Sequence, residues 1–252
     1  KKKKNSWLNG AGTEAAVTDP RRDCAVFAEM APPRGCPITH IFETHRNEDL
    51  VSGAPDLAAI TGARVHPGPD DKLDVTYAET VREGDHFTFG GLTLCVMETP
   101  GHTDDSLSYA IYDKAFGENA VGVFTGDTLF VGDVGRTDFY PDRARNVAGD
   151  LFDSLQKICA LGDQAIIYPA HGAGSVCGNN MADREFSTIG YERQTNPMLR
   201  MNDRDAFIDT KLIEHHDQPP YFRLMEEINL EGGPRLEEPT VPPAFGPKAW
   251  QA

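Results

Sequence analysis

Four apolar, β-rich stretches of this chain each run into a turn that carries a metal-capable side chain: His45 after "ITHIFET", His102 in "TPGHTDDS", Asp127 in "TGDTLF" and His171 in "YPAHGAG". Taken singly, a histidine near a strand end is a packed or capping group, and an aspartate after glycine is a turn former. Four imidazole and carboxylate donors at four strand exits point instead to one shared metal site. Rigid strands fix where such donors stand while the loops that carry them converge. The first of these loops, "ETHRNEDLVSG", continues past His45 with Asn47, Asp49 and Leu50. Of these, Asn offers only a neutral amide oxygen and Leu no donor at all.

The elements that must position these groups follow from pattern and punctuation. "SWLNG" and "EAAVTDP" read as a first hairpin closed by Pro20, "CAVFAEMA" as a short helix, "ITHIFET" as a strand and "LAAITGA" as a helix. "HFTFGGLTLCVMET" places a Gly-Gly turn between two alternating strands, and "SLSYAIY" and "AVGVFTG" continue the sheet. "NVAGDLFDSLQKICALG" has a helical apolar period and a glycine stop, and "AIIYPA" is a buried strand. From about residue 185 the character is helical, in "FSTIGYERQTNPML", "RDAFIDTKLIEHH" and "PPYFRLMEEINLEGG". Residues 5–232 then read as one domain whose C-terminal helices span about 185–232. Residues 1–4 are read as a tag or truncated end, and 233–252 as a Pro-rich tail or linker.

A chain of 252 residues with 39% hydrophobic content can bury a substantial core. Its formal charge of −15 argues against nucleic acid or an anionic membrane surface as partner, since both require a basic face. No apolar run approaches the roughly 20 residues of a membrane span. The five cysteines lack C-x-x-C spacing, which fits neither a zinc ribbon nor a disulfide scaffold, and a reducing, cytoplasmic compartment is the simpler expectation.

Five segments, "ETHRNEDLVSGA", "ETPGHTDDS", "FTGDTLFVGDVGRTDF", "IYPAHGAGS" and "STIGYERQTNP", resemble in order the motifs of the metallo-β-lactamase superfamily, in its persulfide dioxygenase and glyoxalase II branch. The resemblance implies an α+β fold, a four-layer αβ/βα sandwich with the metal at one edge. In the binuclear hydrolases of that family the first loop reads H-x-H-x-D-H, whereas here the positions are His45, Asn47, Asp49 and Leu50. The persulfide dioxygenases use a single Fe(II), held by residues that match His45, His102 and Asp127. Two imidazoles and one carboxylate make the facial triad of non-haem iron oxygenases, with positions left open for substrate and dioxygen. Asp49, His171 and Asn47 are then expected to support the site by hydrogen bonding.

On the substrate side, Arg136 in "GRTDF" matches an arginine that contacts a carboxylate of glutathione, with a structural pair to Asp138 or Asp133 as the alternative. Gly172 and Ala173 stand where many relatives have Asp-Tyr, so the thiol carrier is open. Cys177, in the longer segment that follows, is either a sulfur-handling thiol or a small buried hydrophobe. The resemblance implies oxidation of a low-molecular-weight thiol persulfide by O2, with one Fe(II) per chain, and a homodimer or a rhodanese partner is compatible with it. The competing readings are a mononuclear Zn(II) thioester hydrolase of glyoxalase II type and a metal-poor scaffold domain.

Overall fold

The computed structural model describes residues 5–11, 14–31, 35–46, 49–69, 75 and 77–233. Lys1 to Lys4, Asn47 and Glu48, and the tail beyond Gly233 lie outside the described residues.

Two sheets stack face to face. The first has four strands in the order β1 (Trp7–Ala11), β2 (Glu14–Thr18), β3 (Ile38–Phe42) and β4 (Arg64–His66). The second runs β10 (Ser187–Thr188), β9 (Ile166–Pro169), β8 (Ala120–Gly126), β7 (Leu107–Asp113), β6 (Leu92–Glu98) and β5 (His86–Phe89). Phe42 and Ala16 from the first sheet meet Leu94, Val96, Tyr109 and Phe124 from the second in the middle of the sandwich. Side chains one position along the strands, such as Val17 and Ile41, turn outward against α1 (Ala25–Met30) and α2 (Ala54–Thr61). That alternation is the period-two consequence of the pleat.

The outer face of the second sheet is covered by α3 (Ala144–Cys159), which presents Val147, Leu151, Leu155 and Ile158 at helical spacing. Behind it, α5 (Arg204–Leu212) packs Phe207 edge-on to Phe152 at 5.4 Å. Helix α4 (Ile189–Thr195) and α6 (Phe222–Glu231) complete the C-terminal part. Helices outside two sheets give the four-layer α+β sandwich expected from the motifs. Among the described residues no helix is long and apolar enough to cross a membrane.

Two short strands escape the sequence reading. β4 has three residues and β10 two, too few to establish a period. The segment "FSTIGYERQTNPML" is helical only from Ile189 to Thr195, because the Thr188 hydroxyl accepts from the Tyr191 amide at 3.2 Å and caps the first turn.

Direction of the strands decides where the chemistry gathers. β6 and β8 are both antiparallel to β7, and β9 is parallel to β8, so all three leave the sheet at the same edge. In the other sheet β2 and β3 are parallel and likewise exit together.

Candidate metal centre

His45 follows β3, His102 follows β6, Asp127 follows β8 and His171 follows β9, and all four side chains are buried. The Nε2 atoms of His102 and His45 lie 3.4 and 3.7 Å from Asp127 Oδ2. His171 donates from Nδ1 to Asp127 Oδ1 at 2.6 Å, and its Nε2 faces Asp49 Oδ2 at 3.4 Å. The four strand exits therefore converge on one buried point, with Asp127 at its centre.

Hydrogen bonds fix which nitrogen of each ring is presented. Thr44 donates its one hydroxyl proton to Asp19 Oδ2 at 2.9 Å, so its oxygen accepts from His45 Nδ1 at 3.0 Å. His102 Nδ1 donates to the Arg136 carbonyl at 3.0 Å. Both histidines thus carry their proton on Nδ1 and turn the Nε2 lone pair inward, the arrangement that metal-ligating histidines adopt. Gly126, just before Asp127, has φ +53, and a Cβ there would stand 2.7 Å from the Thr44 side chain. Only glycine lets the two loops approach this closely.

The donors fit a metal ion. Asp127 Oδ2 is buried and makes no hydrogen bond among the described residues, although two imidazole Nε2 atoms point toward it. An orphaned buried carboxylate oxygen is costly unless a cation meets it. His45, His102 and Asp127 form one group of three potential ligands whose donor atoms all lie within 4.8 Å of one another. Asp49, His171 and Cys177 form a second such group.

The electrostatics follow the same geometry. Burial by itself opposes charge on Asp127 and on His171. The His171 imidazole beside Asp127, by charge and hydrogen bond, outweighs burial and holds the Asp127 carboxyl well below the usual range. The carboxylates of Asp127 and Asp49 push the His171 imidazole up to about 10.

Arg136 is placed differently from the sequence expectation. Its guanidinium is fully buried and grips Asp138 through two bonds of 2.6 and 2.7 Å. The remaining donors reach the carbonyls of Val176, Asp217 and His216 at 3.0–3.4 Å. All five guanidinium N–H groups are thereby taken within the protein, leaving none for a substrate carboxylate in this arrangement. The alternative, a structural pair with Asp138, describes what is present, and the ring of Phe139 stacks on the guanidinium at 4.8 Å.

Asp49 and His171, expected to support the site, lie side by side, while Asn47 lies outside the described residues. Arg46 lines a small cleft beside the His45 loop, with Glu43, Pro67, Val75, Asp105 and Asn229. Asp19 was missed. Its backbone sits at φ +50, and it binds both the amide and the hydroxyl of Thr44, so it sets the His45 tautomer. The available signal was its position at the exit of β2, parallel to the strand that ends at His45.

The profile of the metallo-β-lactamase superfamily matches residues 4–171, which include His45, His102, Asp127 and His171. The chain belongs to the metallo-β-lactamase superfamily. A hydroxyacylglutathione hydrolase of Rhizobium etli is 32% identical over 217 residues, covering 76% of this chain and 79% of that protein. Among solved structures, a metallo-β-lactamase from Staphylococcus aureus subsp. aureus COL superposes with a TM-score of 0.87 at 33% identity, covering 98% of this chain and 76% of the other. ETHE1 from Myxococcus xanthus superposes with a TM-score of 0.76 at 29% identity, covering 91% and 94%. Metal binding belongs to this superfamily, and the buried donors at the sheet edge are where this member would hold the ion.

Proposed function

We propose that this chain is an iron-dependent persulfide dioxygenase, converting R–S–SH, O2 and water into the thiol R–SH and sulfite. The observation that carries the reading is the donor set: two imidazole Nε2 atoms and one carboxylate oxygen converge, while position 50, which supplies a histidine in binuclear hydrolases, is leucine. The similarity to ETHE1 over nearly the whole of both chains supports the same branch. Fe(II), when bound there, would supply open coordination positions and the electrons for oxygen chemistry.

The chain's own residues do the positioning. His45 and His102 are held by Thr44 and by the Arg136 carbonyl, so neither ring can rotate without losing a buried hydrogen bond. His171 holds Asp127 Oδ1, which leaves Oδ2 as the inward atom. Phe139 lies edge-on to His102 at 5.3 Å and meets Phe222 of α6 at 6.3 Å, an apolar wall suited to excluding water from a reactive sulfur anion. The partners in this reading are a small thiol persulfide and O2, and a homodimer or a rhodanese that delivers the persulfide is compatible with it.

The second reading is a zinc thioester hydrolase, which the similarity to hydroxyacylglutathione hydrolases favours. Metal analysis of protein purified without added metal, together with oxygen uptake, separates the two. Iron with persulfide-dependent oxygen consumption supports the dioxygenase. Zinc, thioester cleavage and no oxygen uptake would replace it with the hydrolase.

A further inference from the structure

Helix α6 buries two of its ten residues, Phe222 and Asn229, which lie about two helical turns apart on one face. An asparagine at a buried helical position is poor on propensity and costly on burial unless its amide is bonded. Here both ends of the amide are used. Asn229 Nδ2 donates to the Leu50 carbonyl at 2.9 Å, and its Oδ1 accepts from the Ser52 amide at 2.8 Å. One side chain thereby grips the main chain of the loop that carries His45 and Asp49, from 177 to 179 positions away in sequence. We infer that Asn229 is a positioning residue of the metal centre, tying the far end of the His45 loop to α6. The inference rests on the one-ion reading of the site proposed above and names a residue that serves it.

The contacts run from Asn229 to the ligands without a gap. Asp49 precedes the gripped Leu50, and its Oδ2 faces His171 Nε2 at 3.4 Å. His171 in turn holds Asp127 Oδ1 at 2.6 Å. The near end of the loop is fixed separately, by the Arg46 amide donating to Asp105 Oδ2 at 2.7 Å. Past the grip, the Ser52 hydroxyl donates to the Glu43 carboxylate and accepts from the Ala54 amide at 3.0 Å, which joins the loop to the start of α2.

Leu50 gives the tether its purpose. In binuclear relatives this position supplies a histidine, so a metal bond secures that end of the loop. Leucine has no donor to offer, and in this chain its carbonyl is secured by Asn229 instead. The tether also lies outside residues 4–171, the part of the chain that the superfamily profile matches.

The other end of α6 reaches the opposite side of the centre. Phe222 meets Phe139 at 6.3 Å, and Phe139 stands edge-on to His102 at 5.3 Å. A single helix thus touches the His102 side through an apolar wall and the His45 loop through hydrogen bonds. Its main chain is held independently, since the Tyr77 hydroxyl donates to the Asn229 carbonyl at 2.9 Å.

Cobalt(II) titration of the metal-free protein tests the role without turnover, because the visible d–d band of the bound ion reports the arrangement of its ligands. Asn229→Leu keeps a side chain of similar size while removing both bonds to the loop. It should bind cobalt with affinity weakened by about 10-fold, as for a group that acts through a ligand, and its band should be displaced from that of the wild type. Asn229→Ala, which cannot overpack the site, carries the same expectation, and circular dichroism checks that each variant is folded. Tyr77→Phe removes the bond to the main chain of α6 and should leave affinity and band as in the wild type. Wild-type affinity and band in the Asn229 variants would overturn the inference. So would an equal loss in Tyr77→Phe, which would reduce Asn229 to a general docking contact of α6. Absence of persulfide-dependent oxygen uptake in the wild type would count against the dioxygenase reading alone, since cobalt binding does not depend on it.

Discussion

This protein buries two groups of histidines under opposite electrostatic conditions. His40 on β3 and His66 on β4 share a hydrogen bond of 2.8 Å inside a nest of Phe42, Phe87 and Phe89 rings. Burial first, and then each other's charge, lowers the His66 imidazole to about 4, while burial and Arg64 lower His40. The acidic groups facing the pair, Glu14, Glu79 and Asp85, offset only part of this. At the sheet edge His171 is equally buried, yet the carboxylates of Asp127 and Asp49 reverse the effect of burial. Burial alone does not make a histidine functional. What surrounds it does: aromatic rings make a neutral structural pair, and carboxylates with inward lone pairs make a place for a cation.

The comparison breaks most sharply at its centre. Asp127→Ala removes the oxygen that both Nε2 atoms face, and metal at the His45–His102 site and activity should both fall to background. His171→Ala, which leaves the Asp127 carboxylate in place and removes its Oδ1 hydrogen bond, should keep this ion with affinity weakened by about 10–100-fold. Equal loss of that ion in the two variants would contradict the assignment of roles.

A second prediction concerns the buried pair of Arg136 and Asp138. Asp138→Ala leaves the Arg136 guanidinium buried without its carboxylate, and denaturant melts should register a loss of about 3 kcal/mol or more. An unchanged midpoint would mean that the backbone carbonyls suffice to hold the charge.

The aromatic pair supplies a prediction of opposite character. Its folded pKa is depressed, so the unfolded chain binds the proton more readily. The contribution of neutral His66 is complete above about 6.5 and declines as pH falls toward about 4, by roughly 3 kcal/mol in all. In His66→Phe the difference between stability at pH 7 and pH 4 should shrink by that amount with metal content unchanged. A variant that retained the full acid sensitivity would remove the pair from the account.

The smallest effect is expected at Asp19. In Asp19→Ala the Thr44 hydroxyl is free to donate to His45 Nδ1, which would move the imidazole proton onto Nε2, toward the site. Metal affinity should drop by about 10-fold, the lower end for a residue that acts through a ligand. Thr44→Val should behave alike, and a larger loss in one than in the other would show that the two do not act as a relay.

The strand and helix pattern was legible because alternation and helical periodicity are local. The hairpin, β3, β5 through β9, α2, α3 and α5 read directly from residues such as Leu94, Val96, Leu151 and Leu155. β4 and β10 were not legible, being only long enough to pair with a neighbour that the rest of the fold supplies. His45, His102, Asp127 and His171 were marked by sequence because each follows a strand. Their convergence on one carboxylate oxygen was decided by strand direction across two sheets.

Residue types and order along the chain determined the superfamily, the loss of donor capacity at Leu50 and the identity of the donors available. Tertiary structure decided which donors share an ion's reach. It turned Arg136 inward, where its five donors are used, and brought Cys177 beside Asp49, 128 positions earlier in the chain. The physical reason is that a donor's type is a property of one residue, whereas coordination requires atoms within a few ångströms. For residues this far apart in sequence, only the packing of the two sheets and their edge loops sets that distance.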